Sequence, residues 1–439
     1  MNAQRCRYRV RLGQTLRGRL QVPGDKSISH RAIMLGALAD GETEIQGFLQ
    51  GEDCLATLAA FRAMGVPIHG PEAGRVWVQG VGMDGLRAPA GPLDMGNAGT
   101  AMRLLAGILA AQPFDSQLVG DASLSRRPMG RITEPLGVMG ARIDTSGNGT
   151  APLRLHGGRR LRGIEYALPV ASAQIKSCLL LAGLYAEGTT IIHEPGPSRD
   201  HTERMLVALG YPVERDGPQV ALTGGGRLRG ASVQVPADIS SAAFFLVGAS
   251  IARDAELTLT GVGINPTRSG VIEILRLMGA DLELHDQRLA GAEPVADIRV
   301  RSAPLHGIEI PESLVALAID EFPALFVAAA CATGETRLSG ARELRVKETD
   351  RIQVMAEGLQ ALGIDARPAP DGMLIRGGQL RGGRVDSAGD HRIAMAFAMA
   401  ALRAGGAVEI DDCANVATSF PDFPGLAGSV GLSVEAYEG

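Results

Sequence analysis

Gly24-Asp25-Lys26-Ser27-Ile28-Ser29-His30-Arg31 follows a strand-like Leu20-Gln21-Val22 and opens a run of small residues that reads as a helix. Free backbone N–H groups and the helix dipole already favour an anion at such a start, and Lys26, Ser27 and Arg31 would add to that site. A solvated cap made by Ser27 is the alternative. Leu93-Asp94-Met95-Gly96-Asn97-Ala98-Gly99-Thr100 also leads into a helix, with glycines that either admit a ligand to the backbone or simply make a turn. Ser123-Leu124-Ser125-Arg126-Arg127-Pro128-Met129 puts two arginines on a loop; exposed pairs of this kind are often only solvated. Ser172-Ala173-Gln174 opens a helix at a place equivalent to Lys26-Ser27. Glu343-Leu344-Arg345-Val346-Lys347-Glu348-Thr349-Asp350-Arg351 sets Lys347 and Arg351 one helical turn apart around Glu348, unless it is a surface helix laced with salt bridges. Ile319-Asp320-Glu321-Phe322-Pro323 and Asp390-His391-Arg392-Ile393-Ala394-Met395 begin further helices. Recurrence at helix starts in both halves of the chain favours anion binding over idle caps.

The elements that would position these groups announce themselves as a repeat. An apolar residue, a glycine and a strand-like tail recur as Met64-Gly65-Val66, Met139-Gly140-Ala141, Leu209-Gly210-Tyr211, Met278-Gly279-Ala280, Leu362-Gly363-Ile364 and Val430-Gly431-Leu432, roughly every 70 residues. Glycine just past a helix supplies the left-handed C′ conformation, so each copy predicts a helix end followed by a strand. Small-residue helices also precede strands at Ala32–Ala39 and Ala324–Ala332. Each repeat then holds two helices and several short strands. Alanine-rich helices pack closely beneath a sheet, in keeping with an aromatic content of 4%. Six repeats divide into two α/β domains of three. Chain crossings near Leu20 and Val235-Pro236 give a first domain of residues 1–20 plus 236–439 and a second of residues 21–235. A solenoid is the rival architecture, but its usual period of about 20 to 50 residues is shorter. Gly80-Val81-Gly82-Met83-Asp84-Gly85 fits G-x-G-x-x-G, yet Arg87, Pro89 and Pro92 stand where a dinucleotide-binding helix should start. It reads as a hairpin turn.

Composition narrows the function. A chain of 439 residues exceeds one ordinary core, and 45% apolar content excludes disorder. No apolar run approaches the roughly 20 residues of a membrane helix, and no apolar signal core opens the chain, so a cytoplasmic protein with no membrane partner is expected. Arg5, Arg7, Arg9 and Arg11 alternate with Cys6, Tyr8, Val10 and Leu12, which reads as a strand; a transit peptide is the minor alternative. Five scattered cysteines suggest neither a disulfide framework nor a zinc site. With a net charge of −5 and no basic block, no nucleic-acid partner is expected, and an anionic substrate must meet a local cationic pocket. Of 43 basic residues only Lys26, Lys176 and Lys347 are lysine. A lysine among so many arginines hints at a site wanting a compact ammonium, with chance surface placement the alternative.

The motifs Asp25–Arg31, Asn97–Thr100, Arg127–Met129, Arg345–Arg351 and Asp390–Met395 resemble, in order and spacing, those of the 5-enolpyruvylshikimate-3-phosphate synthases, and the likeness runs from about Leu20 to Phe423. It implies the two-domain enolpyruvyl transferase fold, each domain three βαβαββ repeats around buried helices, joined by a double crossover. It implies transfer of the carboxyvinyl group of phosphoenolpyruvate to shikimate 3-phosphate by addition and elimination, with no metal or cofactor, in aromatic amino-acid biosynthesis. Ser27, Arg31, Ser172, Ala173, Gln174, Arg199, Asp320 and Lys347 would bind shikimate 3-phosphate. Lys26, Gly99, Arg127, Gln174, Arg351 and Arg392 would hold phosphoenolpyruvate, with Asn97 and Thr100 in the same substrate-binding loop. Glu348 would deliver and recover the C3 proton, Asp320 would take the hydroxyl proton, and Lys26 would assist the chemistry. Glyphosate is the implied inhibitor at the phosphoenolpyruvate site, with Gly99 leaving room for it, and a monomer is the implied state.

Ser172-Ala173-Gln174, Arg199-Asp200-His201-Thr202-Glu203 and Thr418-Ser419-Phe420-Pro421 resemble the family's class II branch. Class I members carry a lysine where Thr418 stands. UDP-N-acetylglucosamine enolpyruvyl transferases are the rival reading, but they use a loop cysteine and the stretch from Gly120 to Gly130 has none. A silent phosphosugar-binding protein is the non-enzymatic alternative, and would be expected to lack Asp320 or Glu348.

Overall fold

The computed structural model describes residues 6–438. The chain divides into two compact lobes, the first of Met1–Pro23, Pro236–Leu289 and Pro294–Gly439, the second of Gly24–Val235 and Ala290–Glu293. The chain thus leaves the first lobe after Pro23 and not after residue 20, because the strand ending at Leu20 is followed by an extended Gln21-Val22-Pro23 whose last carbonyl accepts the Asp238 N–H. The turn at 290–293 also groups with the second lobe, which no pattern in the sequence marks.

The second lobe carries α1 (Lys26–Leu38), α2 (Glu52–Ala63), α3 (Gly99–Leu109), α4 (Gly130–Val138), α5 (Ala173–Gly183) and α6 (His201–Ala208). The first carries α7 (Ile239–Ile251), α8 (Gly270–Leu277), α9 (Glu312–Val315), α10 (Phe322–Cys331), α11 (Arg351–Ala361), α12 (His391–Ala400) and α13 (Phe423–Ser429). Helices α1, α3, α5, α7, α10 and α12 are buried on nearly every side, with small and apolar residues filling most positions beyond their polar starts. They form the two separate hydrophobic cores, α7, α10 and α12 packing together in one and α3 against α1 and α5 in the other. Close approach of α3 to α5 depends on Gly107, where a Cβ would overlap the carbonyl oxygen of Cys178.

Three sheets enclose each core. Where the first strand of a repeat forms, it pairs parallel with the second, and the remaining two add antiparallel. Leu93–Asp94, Ser116–Val119, Leu153–His156 and Arg142–Asp144 lie side by side in that order, as do Glu165–Ala167, Thr189–His193, Gln219–Thr223 and Glu214–Asp216. Around Glu335–Leu338 the parallel partner is reduced to isolated bridges at His306 and Glu309. Three repeats are completed by distant chain. Leu228–Arg229 and Ser232–Gln234 pair with Ala39–Gln46, Arg17–Leu20 pairs with Glu256–Gly263, and Cys6–Val10 sits between Val408–Asp411 and Val434–Glu438.

All six repeat glycines take the left-handed conformation one residue past a helix cap, with φ of 86° at Gly65, 105° at Gly140, 83° at Gly210, 92° at Gly279, 87° at Gly363 and 107° at Gly431. A strand follows each. The arginine-rich start is a strand over Cys6–Val10, turning Tyr8 and Val10 inward and pairing Arg7 with Asp411 and Arg9 with Glu409. The alternation stops there: Leu12 is exposed, and Arg5 lies outside the described residues. Gly80–Gly85 is no hairpin turn, because Arg75–Val81 pairs with Ala39–Gln46 and Ile68–Glu72 and then exits into a loop. No helix among the described residues is long and apolar enough to cross a membrane.

Candidate functional site

In the second lobe the polar residues gather at the starts of the buried helices. Asp25 caps α1, its Oδ1 accepting from the Ile28 N–H at 2.8 Å, which leaves Lys26 and Ser27 in the first turn. The Lys26 ammonium pairs with Asp53 of α2. Arg31, one turn on, is buried and spread over three neighbours: Nε donates to Thr202 Oγ1 at 2.7 Å, one terminal nitrogen to Ser177 Oγ at 2.8 Å and the other to the Ser27 carbonyl at 2.9 Å. Beneath them His30 meets Thr57 Oγ1 through Nδ1 at 2.7 Å. Burial, then the Lys26 and Arg31 cations, hold its imidazole well below the usual histidine range.

The starts of α3 and α5 are joined by side chains. Gln174 Nε2 donates to Thr100 Oγ1 at 3.0 Å, and Arg103, one turn into α3, donates to Gln174 Oε1 at 2.6 Å. Asn97 accepts from Arg127 at 2.6 Å and donates to Asp121 at 2.8 Å, which ties the arginine loop to the α3 entry. The two loop arginines part company: Arg126 is exposed and Arg127 buried. Arg127 also lies over Gly99, where a built Cβ would meet its terminal nitrogen at 2.9 Å. The wall beside Gly99 is therefore this guanidinium and not backbone. Ser172 caps α5 and so matches Asp25 in position, one residue earlier than the sequence equivalence with Lys26-Ser27 implied; Ala173 is the first helical residue. Arg199 is half-buried on the loop before α6.

In the first lobe Arg351 is the organiser. At 1% exposure its guanidinium donates to Asp390 at 2.7 Å, to Glu348 at 2.6 Å and to Asp320 at 3.3 Å. Burial alone would lower its pKa, but the carboxylates of Asp390, Glu348 and Asp320 outweigh that and raise it. Lys347 reaches the same Asp320 Oδ1 at 3.0 Å. These distances rule out a solvated surface helix. The helical spacing of Lys347 and Arg351 is also corrected: Lys347 is the non-helical cap of a short 3-10 turn over Arg342–Val346, Asp350 caps the next helix, and Arg351 is its first residue. Asp390, fully buried, caps α12 by accepting from the Arg392 N–H at 2.9 Å, while the Arg392 side chain stays half-buried. Thr418 is buried, its hydroxyl donating to the Asn415 carbonyl at 2.7 Å.

Lys176 does not join either cluster. It is wholly buried and paired with Glu194 at 3.0 Å and Glu203 at 2.7 Å. Arg103 and Asp53 are site-forming residues that the motif reading did not single out, and Asp390, though it opens one of the motifs, was given no role there. A lone arginine in the otherwise apolar Gly99–Leu109 was the available signal for Arg103. Burial pushes the Cys178 thiol up to about 12, far from a nucleophile, and Cys331 likewise to about 12.

One lobe thus offers ammonium, guanidinium and amide donors suited to phosphate and carboxylate, and the other two carboxylates held by cations and suited to proton transfer. A family model for EPSP synthase (3-phosphoshikimate 1-carboxyvinyltransferase) matches residues 10–426. The 3-phosphoshikimate 1-carboxyvinyltransferase of Methylococcus capsulatus is 67% identical over 423 residues, 96% of this chain and 97% of that one. That of Alkalilimnicola ehrlichii is 67% identical over 428 residues, 97% and 96%. The solved EPSP synthase of Acinetobacter baumannii superimposes with a TM-score of 0.89 at 57% identity, covering 99% of this chain and 100% of that one. The enolpyruvyl transferase NikO from Streptomyces tendae, at 18% identity over 100% of both chains and a TM-score of 0.80, shares the fold. The fold is that of the two-domain enolpyruvyl transferases. By near full-length identity, and with the motif residues standing at the helix starts described above, this chain belongs to the EPSP synthase (3-phosphoshikimate 1-carboxyvinyltransferase) family.

Proposed function

We propose that this chain transfers the carboxyvinyl group of phosphoenolpyruvate to the 5-hydroxyl of shikimate 3-phosphate and releases phosphate. The observation that carries the reading is family membership over nearly the whole chain, joined to intact cationic and carboxylate clusters. Both substrates carry a phosphate and a carboxylate, so their meeting requires several cations, and planar guanidinium forks suit those groups. Ser27, Arg31, Ser172, Ala173, Gln174, Arg199, Asp320 and Lys347 bind shikimate 3-phosphate. Lys26, Asn97, Gly99, Thr100, Arg127 and Gln174, with Arg351 and Arg392, hold phosphoenolpyruvate. Arg351 acts with its three carboxylates, one of which is Glu348.

The hydroxyl oxygen attacks C2 of phosphoenolpyruvate while its proton passes to Asp320 and C3 takes a proton from Glu348. The tetrahedral adduct then loses phosphate from C2, the leaving oxygen taking the proton held by Asp320, as Glu348 recovers a proton from C3, which restores the double bond on the new ether and both carboxyl groups to their starting states. Glyphosate would compete at the phosphoenolpyruvate site. A cytoplasmic monomer completes the reading, to be checked by fractionation and size-exclusion chromatography. The deciding experiment follows phosphate release with each substrate alone, with both, and with phosphoenolpyruvate plus UDP-N-acetylglucosamine. Release only with shikimate 3-phosphate and phosphoenolpyruvate together is expected; release with the amino-sugar nucleotide would move the assignment to the sister family.

A further inference from the structure

Resting on that reading, we infer that Lys176 is a positioning residue for the shikimate 3-phosphate contacts of the second lobe. Two adjacent rungs join α5 to α6. Lys176 pairs with Glu203 at 2.7 Å, and a neighbouring residue on each helix continues the contact, Thr202 Oγ1 donating to Ser177 Oγ at 2.7 Å. Arg31 is fastened to the second rung through both hydroxyls, at 2.7 Å and 2.8 Å. The direction in which Arg31 presents its guanidinium is therefore set by where Ser177 and Thr202 stand.

The same ammonium reaches a third element. Lys176 Nζ donates to Glu194 Oε1 at 3.0 Å, and that carboxylate also accepts from Ser198 Oγ, the residue beside Arg199. Arg215 closes the group, 3.3 Å from Glu194 and 3.7 Å from Glu203. Two carboxylates thus face two cations, and the lysine lies at 0% exposure between them. Without it, Arg215 alone would face both carboxylates, and leaving a buried charge uncompensated is costly. Those carboxylates would draw apart or admit water, taking the Ser198-Arg199 loop and the Thr202 rung with them. The residues that this group fastens, Arg31 through its two hydroxyl partners and Arg199 through the neighbouring Ser198, are both proposed for shikimate 3-phosphate. The effect should therefore fall on one substrate.

The test uses the full chain, with phosphate release measured against each substrate at saturation of the other. Lys176→Met is expected to raise KM for shikimate 3-phosphate about tenfold, with KM for phosphoenolpyruvate and kcat changed less than about twofold. Lys176→Arg, which keeps the charge, should restore part of the loss. Circular dichroism establishes that each variant is folded. If Lys176→Met fails to fold, Glu203→Gln keeps the Lys176–Glu194 pair and should raise the same KM about threefold. A folded variant with both KM values unchanged, or with both raised equally, overturns the inference. A wild-type chain that releases no phosphate from the two substrates would instead sink the reading of the reaction.

Discussion

Gly99→Ala separates two ways of controlling the phosphoenolpyruvate site. The added methyl would lie 2.9 Å from the Arg127 terminal nitrogen, 3.5 Å from that of Arg103 and 3.5 Å from Leu124 Cδ1. An ordinary carbon–nitrogen contact is about 3.5 Å or more, so Arg127 must retreat by about 0.6 Å while the other two neighbours need not move. Arg127 is buried, and its retreat strains the 2.6 Å bond to Asn97. A hydrogen bond to a charged group contributes about 1.5 to 3 kcal/mol, which bounds the loss. Alanine at a helix start returns at most about 1 kcal/mol of backbone preference. Folding should therefore change little, and the cost should appear where Arg127 acts. Losing about half of one such bond, roughly 0.8 to 1.5 kcal/mol, raises KM for phosphoenolpyruvate about four- to twelvefold. Glyphosate, if it shares the site, suffers the same displacement and, being longer, meets the methyl as well. Its inhibition constant should rise further than that KM. Competition assays on wild type and variant give both numbers. Equal sensitivity, with neither constant moved, would refute the claim that position 99 acts through Arg127.

Glu348→Gln keeps an acceptor for Arg351 but cannot exchange the C3 proton; substrate binding by calorimetry should persist while turnover falls by about a hundredfold or more. Asp390→Asn retains an oxygen to cap α12 and removes one carboxylate from the buried Arg351 cluster; urea denaturation should show a loss of about 3 kcal/mol. His30 is neutral in the fold because burial, Lys26 and Arg31 depress its pKa, whereas the unfolded chain protonates it near 6.5. Its contribution is complete above that pH and is lost as pH falls toward the folded value, by about 1.4 kcal/mol per unit. Urea midpoints at pH 5 and 7 should therefore differ more for wild type than for His30→Gln.

How far the sequence carries depends on the range of the force involved. The six glycine phrases were legible because a helix end needs a left-handed residue there whatever surrounds it. Two of the buried helices were legible as runs of small residues, at Ala32–Ala39 and Ala324–Ala332. Asp350 held a readable cap, its Oδ1 accepting from the Gln353 N–H at 3.0 Å, yet the regular spacing of Lys347 and Arg351 suggested one helix through both. Strand pairing between distant segments left weaker marks. Nothing local tells Leu228–Arg229 to join Ala39–Gln46, and the grouping of 290–293 with the second lobe was invisible for the same reason.

The three lysines show what residue type alone cannot decide. Each pairs with a carboxylate: Lys26 with Asp53, Lys347 with Asp320, and Lys176 with both Glu194 and Glu203. In an acidic chain such pairing lets a cation sit in a partly dry place without a large desolvation cost. Lys26 and Lys347 keep 17% and 27% of their side chains exposed, so an arriving phosphate or carboxylate can share or replace the partner. Lys176, at 0% exposure between two carboxylates, offers no ligand that exchange. On the proposed reading, the same residue type in the same kind of pair serves substrates at two positions and architecture at the third. The difference lies in access, which only the packed structure supplies.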